Sequence, residues 1–147
     1  VTGPTYERFD HGIHVDVPHQ PGTYLYALTK SLGQEICTVM APEQDAYVMD
    51  LLFYMFVDVE TDKAESGSPI ANLGRDLVPY TVSWRDAADA FRLAMEVDLE
   101  SLASRSEVFF VFPDLPHQKF LNDKVKRVLG WEARDTLEQF WRKKATT

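Results

Sequence analysis

The chain has 147 residues, of which 45% are hydrophobic, 12% aromatic and 26% charged, the balance of one globular domain with a buried core and not of a disordered or fibrous chain. A formal net charge of −8 argues against nucleic-acid or anionic-membrane partners, which need clustered positive charge. One cysteine, Cys37, excludes an internal disulfide and a multi-cysteine zinc site, fits a reducing cytoplasmic location, and reads as a small buried hydrophobe.

Residues 1–21 read as loop, with Pro and Gly punctuation and scattered acids. His11, His14 and His19 alternate there with Asp10 and Asp16, but their spacing in an irregular segment favours a solvated acidic loop over a metal site. From about Thr23 to Met40, Leu25, Leu28, Leu32, Ile36 and Val39 recur at three- and four-residue steps and predict a helix that Pro42 stops. Tyr26 and Lys30 lie four apart at its start, so they share one face. A cation beside a phenol favours the phenolate, and a phenol so placed can exchange a proton with a substrate hydroxyl or carbonyl. The pair alone is weak, since chance supplies about 0.3 of them in such a chain.

Residues 46–57, Ala-Tyr-Val-Met-Asp-Leu-Leu-Phe-Tyr-Met-Phe-Val, predict one buried strand, parallel because it is apolar on both faces. That apolar stretch carries Asp50 and Asp58 and is too short to span a bilayer, and no signal peptide is read. Asp58 to Pro79, with Gly67, Pro69 and Gly74, predicts a long surface loop. Ser83 then caps a helix running to Met95, with Asp86 at the third helical position of a capping box and an Ala-rich stripe that lets it pack closely against a sheet. Arg85 can pair with Asp89 one turn on or bind a substrate carboxylate through its planar fork.

A second strand is predicted over Glu107 to Phe112, ended by Pro113. His117 follows it in a loop of the kind that meets ligands at strand ends. Two short helices, about Asn122 to Leu129 and Asp135 to Lys144, are separated by Gly130 as a C-terminal stop, and Trp131 reads as a core aromatic. Helix, strand, helix, strand, helix is the alternation of an α/β layer fold, though two strands are few for a self-sufficient sheet.

Four ordered stretches resemble the extended short-chain dehydrogenases/reductases, the NAD-dependent epimerase/dehydratase group, and within it the uronate dehydrogenase-like members. Residues 21–33 are similar to the family's catalytic helix, with Tyr26 at its tyrosine and Lys30 at its lysine. Residues 80–91 look like its late Asp-Val-Ala segment, residues 109–122 like the strand and loop reaching the sugar pocket, and residues 124–135, Lys-Val-Lys-Arg-Val-Leu-Gly-Trp-Glu-Ala-Arg-Asp, like its terminal Lys-x-x-Leu-Gly-Trp signature. The chain departs from the pattern at Leu52-Phe53-Tyr54-Met55-Phe56, where the family often reads Leu-Arg-x-x-Asn.

The resemblance covers only the C-terminal half of such enzymes and implies the corresponding part of a Rossmann-like fold, one partial domain of few parallel strands flanked by helices. It implies NAD as cofactor, a sugar or sugar acid as substrate, Tyr26 as general acid/base, Lys30 on the cofactor ribose, and substrate contacts from His117 and Arg85. No spaced glycine triplet for the pyrophosphate exists in these residues, and the family's catalytic Ser or Thr is not among them, so the isolated chain is expected to be inactive. The alternative is a non-catalytic sugar-binding or oligomerisation module of the same descent. An open sheet edge would make either version a homodimer or the recipient of a complementary partner.

Overall fold

The computed structural model describes residues 12–16, 23–74, 78–114 and 118–141, apart from the Trp141 side chain. Helix α1 spans Leu25–Glu43 and carries a face of small or polar residues: Ala27 and Ala41 are buried, Ser31, Gln34 and Cys37 half-buried. At about 100° per residue these positions form one row, and that row lies on strands β1 (Val48–Leu52) and β5 (Ser106–Phe110). Pro42 does not end the helix where expected. It removes only its own N–H, and Gln44 N still bonds Met40 O at 2.9 Å, so the last turn closes through Glu43.

β1 and β5 are parallel, in register from Val48 opposite Ser106 to Leu52 opposite Phe110. The alternation of side chains then sorts the core. Met49, Leu51, Phe109 and Val111 face helices α2 (Trp84–Glu96) and α3 (Asp123–Leu129), packing with Ala87, Ala90, Ala94, Val125, Leu129 and the fully buried Trp131. Leu52, Val108, Phe110 and Phe112 face the other way, onto Ile13, Val15 and Phe120. α1 covers this second face, with Thr38 Oγ1 3.4 Å from Ser106 Oγ.

The single strand expected over residues 46–57 is two. β1 stops at Leu52, and β2 (Met55–Asp58) joins a different sheet, parallel to β4 (Thr81–Ser83) and antiparallel to β3 (Lys63–Ala64). Every β1 residue is half-buried, not buried, and among the described residues only one of the strand's edges is paired. The long surface loop expected over residues 58–79 is also corrected: it holds β3 and short 3₁₀ turns at Ile70–Asn72 and Val78–Tyr80, and it encloses a small core of Val57, Ala64, Ile70, Val78 and Leu137. Asp58 starts that fold-back, its carboxylate accepting from Glu60 N, Thr61 N and the Thr61 hydroxyl, which hold it below the usual carboxylate range.

Ser83 caps α2 as expected, its hydroxyl accepting from Asp86 N at 3.1 Å. Gly130, at φ 68°, ends α3 in the left-handed conformation that glycine adopts without penalty. The final helix, α4 (Glu138–Trp141), starts three residues later than expected, since residues 135–137 form no regular element and Leu137, at φ 55°, lies outside the right-handed helical region. Among the described residues no helix is long and apolar enough to cross a membrane.

Candidate functional site

Tyr26 and Lys30 sit in the first turns of α1, at the end of that helix nearest the C-terminal end of β1. Their pairing is formed: Lys30 Nζ lies 5.6 Å from the centre of the Tyr26 ring. Tyr26 is 58% exposed and its ring leans on Tyr24 at 6.2 Å, so the phenol is open to an incoming group. Thr38, twelve residues on, meets Ser106 at the start of β5, so the helix runs from that end of the strands toward their carboxyl ends, the side on which α/β sheets meet ligands.

Arg85 is elsewhere, on the α2 side of the sheet. Neither expected role is simply realised, because its Nη2 reaches both carboxylate oxygens of Asp135 at 2.9 and 3.0 Å. Asp89, the alternative helical partner, is taken by Arg92 and Arg134. The guanidinium remains half-exposed, so a ligand carboxylate could reach it only in competition with Asp135. His117 lies outside the described residues, as do His11 and His19, while His14 is exposed.

Asp86 has a role that the capping pattern does not reveal. It is 1% exposed, and its Oδ2 accepts from Arg134 N at 3.0 Å and Asp135 N at 2.9 Å, while its backbone carbonyl accepts from Trp131 Nε1 at 2.8 Å. The first turn of α2 thereby fixes the Gly130-Trp131 turn and, through Asp135, the direction of Arg85. An acid at the third helical position was legible as a dipole and capping residue; its partners 48 and 49 residues away were not.

A ladder of rings follows β1. Trp84 stacks on Phe56 at 4.4 Å, Phe56 meets Phe53 at 5.1 Å, and Phe53 stacks on Phe91 at 5.7 Å. Tyr54 turns the other way onto Tyr80, which also meets Phe112 and Phe120. With Phe53 and Phe56 this strand end can pack or stack but offers neither a charged fork nor an amide.

A separate open cleft of about 360 Å³ lies against the N-terminal end of β5, lined in part by His14, Asp16, Ser104, Glu107, Lys124 and Arg127. Buried Glu107 anchors it, accepting from Ser104 N at 2.8 Å and pairing with Lys124 at 2.9 Å, which in turn reaches Asp16 at 3.3 Å. Thr38 marks the α1 end nearest to it, twelve residues from Tyr26, so the two ends stand about 18 Å apart along the helix. The ion pairs of this cleft satisfy the Glu107–Lys124 side chains, and its place behind the strands sets it apart from Tyr26 and Lys30.

No protein-family model and no curated protein sequence matches the chain. Two solved structures share its fold. One is glucuronic acid dehydrogenase from Chromohalobacter salexigens, with 17% identity, a TM-score of 0.64, and a match over 93% of this chain and 46% of that one. The other is a mutated uronate dehydrogenase, with 17% identity, a TM-score of 0.62, and a match over 93% of this chain and 45% of that one. The fold is therefore α/β, few parallel strands flanked by helices, as in a portion of a Rossmann-like domain, and the chain spans just under half the length of these structures.

Proposed function

We propose that the chain is the catalytic-helix and substrate-side portion of an NAD-dependent sugar or sugar-acid oxidoreductase. The observation that carries this reading is the coincidence of a near-complete fold match to two sugar-acid dehydrogenases with a formed Tyr26–Lys30 pair on an exposed helix start. Tyr26 acts as general acid/base, taking the proton of the substrate hydroxyl as a hydride leaves the same carbon, and Lys30 supports it electrostatically and holds the cofactor ribose. When bound, NAD supplies the hydride acceptor.

The residues fit that cofactor at one end only. Tyr26 and Lys30 suit the ribose and the reacting carbon, but the described helix starts at Tyr24, Ser83 and Asn122 bear no glycine-rich loop for a pyrophosphate. The phosphates must be bound by another segment, and the 147-residue chain alone is expected to be inactive. Arg85 and His117 are the proposed contacts for the sugar acid, Arg85 through exchange of Asp135 for the substrate carboxylate.

The test is a steady-state assay with glucuronate and NAD on the polypeptide purified from its source and on the 147-residue chain. We expect turnover in the first alone, and a Tyr26→Phe substitution there should lower kcat by about 10²- to 10⁴-fold with little change in NAD affinity. Unaltered kcat would remove Tyr26 from the chemistry. Sugar binding without turnover in either polypeptide would favour the non-catalytic module, the reading that the lack of a glycine-rich loop supports.

A further inference from the structure

We propose that the open cleft against the N-terminal end of β5 binds a small molecule through a phosphate or carboxylate group, held between Lys124 and Arg127. The cleft lies apart from Tyr26 and Lys30, and its chemistry is independent of the oxidoreductase reading. Its volume of about 360 Å³ falls within the range of small-molecule sites.

A cation is pinned at its floor. Glu107 is 4% exposed and has no acceptor to spare for a ligand, because Oε1 accepts from Ser104 N at 2.8 Å and Oε2 pairs with Lys124 Nζ at 2.9 Å. What the buried carboxylate does is hold Lys124, whose ammonium would otherwise swing on a flexible four-carbon stem. Breaking a buried pair by removing one partner is costly, so Lys124 keeps its place whether or not the cleft is filled. A cation already ordered loses little freedom when a ligand arrives.

The other groups facing the cleft select the sign of that ligand. Arg127 follows Lys124 by three residues, one turn along the same face of α3. It is exposed, and among the described residues no carboxylate pairs with it. Its planar fork suits two oxygens of one anion, and the exposed imidazole of His14 can add a further N–H at the rim. Asp16 is the one other carboxylate among the described lining residues, and it reaches Lys124 loosely, at 3.3 Å from a side chain that is 70% exposed. It holds the place on Lys124 that a ligand oxygen would take, so it competes with an anion and does not help to bind one. Donors therefore outnumber acceptors in the cleft. A net charge of −8 gives the chain no general attraction for anions, so saturable binding of one requires a local site.

The test is calorimetric titration and amide NMR of the chain in a phosphate-free buffer, with inorganic phosphate and succinate as separate probes. We expect one saturable site, with shifts at residues 104–108 and 124–127 and none at Tyr26 or Lys30. Arg127→Ala, at an exposed position, should weaken binding at least about tenfold through loss of a charge-assisted contact. Asp16→Asn, also exposed, should tighten it about three- to tenfold by freeing Lys124. Tighter binding of phosphate would name a phosphate ester as the ligand class, and tighter binding of succinate a carboxylic acid. No saturable binding of either probe up to about 10 mM would overturn the proposal, as would an Arg127→Ala variant that binds as tightly as the parent. Weaker binding by Asp16→Asn would overturn it too, because Asp16 would then be contacting the ligand as it would a cation.

Discussion

Asp86 shows how much structure one side chain can organise. Its carboxylate is withdrawn from water, which is tolerable only because it accepts two backbone N–H groups and sits in the first turn of α2, where a negative charge meets the positive end of the helix dipole. Asp86→Ala should leave the Arg134 and Asp135 N–H groups without an acceptor and cost about 3 kcal/mol, whereas Asp86→Asn, which keeps one acceptor oxygen, should cost roughly half as much. Urea unfolding at constant m-value measures both; equal losses would show that the negative charge, which both substitutions remove, and not the retained acceptor oxygen, is what matters. Nothing in the residues around position 86 announces these partners, since a third-position acid after a serine cap has an ordinary local explanation. Tyr26 and Lys30 are the opposite case, because an i,i+4 pair on a helix is fixed by local geometry and was legible at once.

At the scale of elements, what was legible was what local chemistry decides. The Ser83 start of α2 and the Gly130 stop of α3 follow from one hydroxyl and one absent Cβ. The break between β1 and β2 was not legible, because Phe53 and Tyr54 have the same strand preference as their neighbours. The division is imposed by partners: β5 holds one piece and β4 the other. The segment after β5 is joined to α3 by Asp114, which receives Lys126 Nζ at 2.6 Å and Asn122 Nδ2 at 3.1 Å. The bond from Lys126 holds the Asp114 carboxyl below its ordinary value. A depressed folded pKa gives stability that is present above the unfolded value near 4 and is lost as pH falls through the folded one. Asp114→Asn should therefore lower stability at pH 7 by less than about 1 kcal/mol, as befits a largely exposed ion pair, and the difference should vanish in strong acid. Thermal melts of both proteins from pH 7 to 2 would show it, and a difference that grew in acid would assign the wrong sign to the interaction.

At the scale of the whole molecule, α1 is a helix facing two ways. Its sheet-facing row is Ala27, Ser31, Gln34 and Ala41, while Leu25, Leu32, Ile36 and Val39 lie roughly opposite and are exposed. The 3.6-residue period reveals an apolar stripe but not the side on which a sheet will lie, and here the small residues win that side because they allow the closest approach to β1 and β5. A stripe turned outward gains nothing from folding of this chain alone. Leu32→Gln with Ile36→Gln should then shift the unfolding free energy of the 147-residue chain by less than about 0.5 kcal/mol, against the 1.5–3 kcal/mol expected for each if these side chains were buried. Ala27→Gln, directed at the sheet, should instead be destabilising by about 1–3 kcal/mol through overpacking. If the outer pair proved as costly as the inner one, α1 would be covered on both sides within this chain, and the division of labour between its small face and its apolar face would have to be reversed.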